Sequence, residues 1–331
     1  MKIVLLFGGR GAEHAVSLLS AKHVYARLAT QRHEILCVGL DRRGALFRYG
    51  SVPDDTGPDG TPVSLLFSEG KLSFTDKEGN PFPVDLVFST IHGKDGEDGA
   101  LQGVFTLGGV PFVGAGVAAS AIGMNKRIAK ELVRAAGVPV VPYLSVRAVP
   151  GDLSAHVGQK LRYPLFVKPV SGGSSIGVSR VENEKELASA VALARKEDEE
   201  ALIEEAIQGS EIEVAVLEKD GTLLLSPPGE IRVPSGFYDY QTKYSEKTAR
   251  FFLPAPLTDA EIANVKQLAA TAFRTLGCRD MARVDFLRGE DGAIFFNEIN
   301  TLPGFTEDSL FPRLFSLIGV DPVLFLTEGR L

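Results

Sequence analysis

The opening run Ile3-Val4-Leu5-Leu6-Phe7, stopped by Gly8-Gly9, constrains the fold more than any other feature of this chain. A strand with one wet face alternates apolar and polar residues. An unbroken apolar run therefore predicts a strand buried on both faces, as in a parallel sheet covered by helices. A helix is predicted over 13–29, and further strands over 35–40 and 85–90. The first 115 or so residues read as a small α/β domain with a parallel sheet. Residues 51–83, rich in Gly, Pro and Asp, read as hairpins and surface loop.

At 331 residues the chain has room for two or three domains, and so for a site between domains. Its 35 Lys+Arg against 42 Asp+Glu leave a net charge of −7. That balance argues against nucleic acid or an anionic membrane surface as a partner. Cys37 and Cys278 are too few and too distant for a disulfide framework. No apolar run approaches the roughly 18–20 residues of a membrane span, and the N-terminal run is too short for a signal segment. A cytoplasmic protein is expected.

Further on, a helix is predicted over 119–136, ended by Gly137 with Pro139 beyond it. A strand over 165–170 enters a Gly/Ser loop at 171–177, followed by a helix over 184–195. Strands over 211–217, 283–287 and 293–300 and a helix over 259–276 complete the pattern.

Several segments carry chemistry. Gly114-Ala115-Gly116-Val117-Ala118-Ala119 fits a dinucleotide fingerprint, but no strand ending in Asp or Glu follows at the distance that a ribose contact requires. The loop from Gly172 to Ser179 has the outer spacing of a P-loop but carries Val178 at the lysine position. Its lysine, Lys168, lies on the preceding strand. Taken alone this loop reads as a surface turn, although exposed N–H groups in such a loop can fold over phosphates. The alternation of a strand places Arg283 with Asp285 on one face, and Glu298 with Asn300 on another. If those strands pair, Asp285, Glu298 and Asn300 form an oxygen-only cluster suited to Mg²⁺; otherwise they are two solvated strand faces. The turn after Asn300 could aim the Gly304 N–H at a developing oxyanion. The polar segment 236–250 reads as a loop able to close over a ligand. His92-Gly93-Lys94-Asp95-Gly96-Glu97-Asp98-Gly99 reads in isolation as a helix entry. The five histidines show no zinc-ligand spacing.

In combination, eight segments resemble one family, the D-alanine-D-alanine ligases of the ATP-grasp superfamily. They are Gly8-Gly9 to Ser17 with Glu13, the His92 to Gly99 turn, Met124-Asn125-Lys126, and Val167-Lys168-Pro169 with Gly173-Ser174-Ser175. Leu202-Ile203-Glu204-Glu205, Phe237-Tyr238-Asp239-Tyr240 to Tyr244, Arg283 to Asp285, and Glu298 to Ser309 follow in the family's order. The resemblance implies an ATP-grasp fold of mixed α/β and α+β class with an N-terminal Rossmann-like domain. Its divisions would be 1–118, 119–213 and 214–331.

The implied reaction joins two molecules of D-alanine at the expense of ATP, through an acyl phosphate, with two Mg²⁺ (or Mn²⁺) ions held by Asp285, Glu298 and Asn300. By the same resemblance Lys126 and Lys168 meet the ATP phosphates, with Ser174 and Lys243 beside the nucleotide. Glu204, Glu205 and Ile207 meet adenine, and Glu211 the ribose. Glu13 is expected to face the first ammonium, Lys243 and Ser309 the second carboxylate, and Arg283 with the Gly304 N–H the oxyanion. Ser174 and Tyr244 join Glu13 in a hydrogen-bonded triad. The loop up to Tyr244 follows the dipeptide-forming pattern, so D-alanine is expected as second substrate. Glu205 and Ala282 depart from the residues common there. The family is commonly a homodimer through its N-terminal domain.

Overall fold

The computed structural model describes residues 1–149, 151–232 and 249–328. The apolar run forms β1 (Lys2–Gly8), in which every residue after Lys2 is buried. Both faces are covered: Ile3, Leu5 and Phe7 pack with Leu18, Val24 and Leu28 of helix His14–Leu28, while Val4 and Leu6 pack with Phe105 and Phe112 on the other side. Each such side chain contributes about 1.5–3 kcal/mol of transfer free energy.

β1 pairs in parallel with β2 (Glu34–Leu40) and, on its other side, with β7 (Leu86–Ser89). The sheet is not parallel throughout. β3 (Leu46–Tyr49), β4 (Thr61–Ser68), β5 (Lys71–Thr75) and β6 (Pro81–Phe82) extend it by antiparallel pairing, in the order β6-β5-β4-β3-β2-β1-β7. The connections dictate this, because tight turns can join only antiparallel neighbours and a parallel crossover needs a dozen residues or more. Between β2 and β3, Asp41 accepts the Arg43 and Ala45 N–H groups. Between β4 and β5, Glu69 and Gly70 take φ of 51° and 76°, the twist a two-residue hairpin needs.

The second sheet is antiparallel, built from β8 (Tyr143–Val146), β9 (Leu165–Pro169), β10 (Ser179–Val181) and β11 (Ala201–Glu205) in the order β10-β9-β11-β8. Helices Leu153–Gly158 and Glu184–Ala194 cover one face of it. The third sheet contains β12 (Gly209–Lys219), β13 (Thr222–Leu225), β14 (Gly229–Arg232), β15 (Arg250–Phe252), β16 (Met281–Gly289) and β17 (Ile294–Asn300). Its order is β15-β14-β12-β16-β17, with β13 on β12. Helix Asp259–Thr275 packs Val265, Ala269 and Phe273 against its back. The expected division near residue 213 falls inside β12, whose ladder with β16 starts at Gly209 opposite Gly289.

The helix expected over 119–136 is two helices, Val117–Met124 and Lys126–Ala135. Asn125 breaks it by adopting an extended conformation (φ −89°, ψ 96°) and bridging to Ser171. The same residue starts the second helix, its side chain accepting the Ile128 N–H at 2.9 Å.

The C-terminal segment returns to the first sheet. Phe305 is fully buried between Phe88 and Phe311, each at 5.5 Å in an edge-to-face arrangement. Among the described residues, no helix is long and apolar enough to cross a membrane. Replacing Phe305 with Ala should cost about 3–5 kcal/mol. The expected outcome is a clearly lowered melting temperature for the whole chain, and an unchanged melting curve would contradict this packing.

Candidate active site

Two clefts meet in the molecule. One lies between the second and third sheets and is lined by Lys168, Glu204, Glu205, Ile207, Glu211 and Asp285. The other lies against the first domain and is lined by Glu13, Glu213, Arg283, Asn300, Gly304 and Ser309. Lys126, Gly172, Gly173, Ser174 and Glu298 line both. Every site residue expected from the sequence therefore faces one cleft or both, except Lys243 and Tyr244, which lie outside the described residues.

In the first cleft, antiparallel pairing sets Lys168 opposite Leu202 and Glu204 opposite Phe166, so that Lys168 and Glu204 are diagonal neighbours on one face. Lys168 Nζ lies 2.6 Å from Glu204 Oε2 and donates to Asn297 Oδ1 at 3.1 Å. From below, Lys130 Nζ lies 2.8 Å from Glu204 Oε1. Burial alone would raise the Glu204 pKa. The charges and hydrogen bonds of Lys130 and Lys168 more than offset it and hold the carboxyl at about 2. Burial pulls Lys130 down to about 8 against the attraction of Glu204, and Lys168 pushes in the same direction as burial. Glu205 lines the cleft, and its carboxylate accepts the Arg162 N–H at 2.9 Å. The residue that departs from the common one thus makes a backbone contact with a segment 43 residues earlier in the chain.

β16 and β17 do pair, with Asp285 directly opposite Glu298 and Arg283 opposite Asn300. Between Asp285 and Phe286 the register slips, leaving Asn297 as the extra residue of a bulge, from which its amide reaches Lys168. The pairing therefore puts Asp285, Glu298 and Asn300 on one face of the sheet. Each carboxylate of this set has a cation. Arg283 Nε and one terminal nitrogen hold Asp285 at 2.8 and 2.6 Å, and Nε also lies 3.0 Å from Glu213. Burial opposes the guanidinium charge, but Asp285 and Glu213 outweigh it and raise its pKa well above the usual value. Lys126 Nζ lies 3.2 Å from Glu298 and donates to the Gly172 carbonyl at 2.6 Å. Asn300 Oδ1 accepts the Leu302 N–H at 3.0 Å. No group of three His, Cys, Asp or Glu able to hold a metal occurs among the described residues. The candidate set counts two carboxylates and an amide.

The Gly/Ser loop carries Ser174 and Ser175 at φ of 51° and 56°, a region non-glycine residues rarely adopt. That conformation lets Ser174 Oγ donate to Glu13 Oε1 at 2.6 Å. Glu13 lies over Gly93 (φ 68°), where an added Cβ would run into its carboxylate. The His92–Gly99 segment is thus a wall of the second cleft, a role that a helix entry alone does not predict. Ser309 Oγ accepts the Thr306 N–H at 3.0 Å, and a Cβ on Gly304 would come within 2.7 Å of that oxygen.

Sequence reasoning gave no role to three residues. Lys130 follows buried Ala129 on a helix, where no spacing marks a buried lysine. Glu213 shares a strand face with Glu211, a pattern that the alternation applied to β16 and β17 would have found. His92 is buried; its Nδ1–H donates to the Leu302 carbonyl at 3.2 Å with Glu97 at 3.3 Å, and its Nε2 lies 3.1 Å from Ser20 Oγ, which accepts the Phe305 N–H.

A cation-lined cleft between two antiparallel sheets opens into a second cleft with its own arginine and glutamates, the arrangement expected of an ATP-grasp carboxylate–amine ligase. The sequence matches the family descriptions "D-ala D-ala ligase N-terminus" over residues 2–115 and "D-ala D-ala ligase C-terminus" over 132–327. It is similar to the D-alanine–D-alanine ligases of Mycolicibacterium vanbaalenii (41% identical, 99% of this chain and 95% of the relative) and Mycobacterium tuberculosis (40%, 99% and 94%). Among solved structures it resembles the VanG D-Ala:D-Ser ligase from Enterococcus faecalis, with a TM-score of 0.87 and 35% identity over 98% of this chain and 97% of that one. The D-alanine-D-alanine ligase from Coxiella burnetii gives a TM-score of 0.86 and 31% identity over 98% and 92%. The chain belongs to the D-alanine–D-alanine ligase family.

The environment of His92 yields a pH signature. Burial disfavours its charge, but the hydrogen bond and charge of Glu97, together with Glu13 and the Leu302 carbonyl, raise its pKa above the usual 6.5. A raised folded-state value means that the contribution to stability is full below pH 6.5 and is lost as pH rises through the folded value. Melting temperatures of the parent and His92→Gln chains should therefore differ most below pH 6.5 and converge above it. A gap that widens with pH would contradict this electrostatic picture.

Proposed function

We propose that the chain joins two D-alanine molecules into D-alanyl-D-alanine with conversion of ATP to ADP and phosphate, a step of peptidoglycan precursor synthesis. The observation that carries this reading is the meeting of the two clefts at Lys126 and Glu298. A phosphoryl group in one cleft and an amino-acid carboxylate in the other would meet beside these two residues and the Gly172–Ser174 loop that also lines both clefts.

A carboxylate oxygen of the first D-alanine attacks the γ-phosphorus and ADP leaves. The neutral amine of the second D-alanine, having lost its proton, then attacks the acyl carbon and phosphate departs. Like-charge repulsion between carboxylate and triphosphate is the first obstacle, and Lys126 and Lys168 offset it by holding the phosphates. Glu204, Glu205 and Ile207 line the adenine end and Glu211 the ribose end. Glu13, fixed by Ser174, takes the first ammonium, and Ser309, with Lys243, takes the second carboxylate. Arg283 and the Gly304 N–H stabilise the tetrahedral oxyanion.

Asp285, Glu298 and Asn300 offer oxygen donors of the kind Mg²⁺ or Mn²⁺ prefers, and two such ions would supply positive charge at the transferring phosphoryl group. We place the reaction in the cytoplasm and expect a homodimer through residues 1–118. D-alanine is the proposed second substrate, with Tyr244 completing the triad around Glu13. Because the VanG neighbour is a D-Ala:D-Ser ligase, the second substrate needs its own measurement.

ADP release should require D-alanine and a divalent ion and stop on addition of a chelator. Mass analysis with D-alanine, D-serine and D-lactate competing should find D-alanyl-D-alanine as the main product. A serine- or lactate-containing product would retain the chemistry and overturn the second substrate. Arg283→Ala should lower kcat by about 10²–10³, the usual loss for one oxyanion donor, with a smaller change in KM for ATP.

A further inference from the structure

Lys130 has no part in the chemistry above, yet it is 0% exposed at the back of the nucleotide cleft. It projects from the second turn of helix Lys126–Ala135, beneath Glu204. Its Nζ lies 2.8 Å from Glu204 Oε1, donates to the Phe296 carbonyl at 3.2 Å, and sits 5.9 Å from the centre of the Phe296 ring. The other oxygen of Glu204 faces Lys168 at 2.6 Å. An apolar side chain would fill this volume at lower desolvation cost, so a buried ammonium here calls for an electrostatic reason.

Charge counting supplies one. Lys168 and Glu204 alone form a neutral pair, and a neutral pair attracts a polyphosphate weakly. With Lys130 the cluster carries two ammonium groups and one carboxylate, a net charge of +1 in a cleft where such charge is poorly screened. The third donor of Lys168 has no partner among the described residues, so that charge has an N–H through which to act.

We propose that Lys130 is a positioning residue of the nucleotide site: by neutralising Glu204 it keeps the charge of Lys168 available to the nucleotide phosphates. The proposal rests on the reading of this cleft as the ATP site. It separates Lys130 from Lys126 and Lys168, because Lys130 acts through Glu204 and never touches nucleotide.

The test is calorimetric titration of ADP with Mg²⁺ into the full chain and into the Lys130→Gln, Glu204→Gln and doubly substituted variants, with KM measured for ATP and D-alanine. Gln at 130 removes the charge and retains an amide N–H donor, one atom shorter in reach than the ammonium. Lys130→Gln should weaken ADP at least about tenfold and raise KM for ATP, with KM for D-alanine changed less than about twofold. With Glu204→Gln already in place the cluster still carries +1 after Lys130→Gln, the charge it has in the parent, so adding Lys130→Gln should weaken ADP by less than about threefold.

A tenfold loss in that second background would overturn the proposal, as would parallel rises in both KM values, because each is what a purely structural lysine would give. If Lys130→Gln alone does not fold, the comparison within the Glu204→Gln background still decides, since replacing a buried ion pair by neutral groups is usually tolerated. Failure of the unmodified chain to bind ADP would overturn the nucleotide reading and this proposal together, an outcome distinct from both others.

Discussion

Charge held inside a cleft is the constraint on which the rest of this structure depends. Glu204, Glu213 and Asp285 are buried and Glu298 is partly so, in a region where an uncompensated carboxylate would cost several kcal/mol. Each has a cation in ion-pair contact: Lys130 and Lys168 at Glu204, Lys126 at Glu298, and Arg283 shared between Asp285 and Glu213. Like charges directly opposite on a ladder repel, and Asp285 faces Glu298 in that way. The flanking cations offset that repulsion along the β16–β17 pair. These residues serve the fold before they serve any substrate.

Small departures from regular backbone deliver those cations. Asn125 interrupts a helix so that Lys126 begins a new one beside Val170, whose carbonyl accepts the Lys126 N–H at 2.9 Å. The bulge at Asn297 turns an amide toward Lys168. Phe305, clamped between Phe88 and Phe311, fixes the turn carrying Gly304 against the first sheet, and the Ser20–His92 contact ties the same turn to the wall behind Glu13. Each departure sits where one sheet hands over to the next.

These departures also explain what the sequence makes legible. Period-2 alternation is a local property, so Arg283, Asp285, Glu298 and Asn300 could be assigned to shared faces before any pairing was known. The unbroken apolar run of β1 was equally readable, because burial on both faces leaves no other pattern. The helix break at Asn125 was not, since its cause is a bridge to Ser171 far along the chain and a single Asn between good helix formers such as Met124, Lys126 and Arg127 does not by itself mark a break. Lys130 was hidden for the same reason: its partner Glu204 is on a strand far along the chain. The antiparallel hairpins after β2 were visible as turns, but their attachment to the parallel strands followed only from the shortness of the Asp41–Gly44 connection.

Stability without ligand and readiness for ligand make opposite demands on a cation, and donor number reconciles them. A lysine satisfied by one carboxylate keeps two N–H donors, and an arginine keeps more. Lys126 uses two of its donors on Glu298 and the Gly172 carbonyl, and Lys168 uses two on Glu204 and Asn297. Asp285 and Glu213 engage Nε and one terminal nitrogen of Arg283, and its second terminal nitrogen has no partner among the described residues. The electrostatic cost of burial is thus offset while a donor remains on each cation. An incoming phosphate or oxyanion can be met without first breaking an ion pair, so the attraction it feels is not reduced by the cost of exposing a buried carboxylate. What it does depend on is net charge, because donors attached to a neutral pair attract an anion weakly. At Lys168 that net charge traces back to a lysine one layer deeper, out of reach of the ligand.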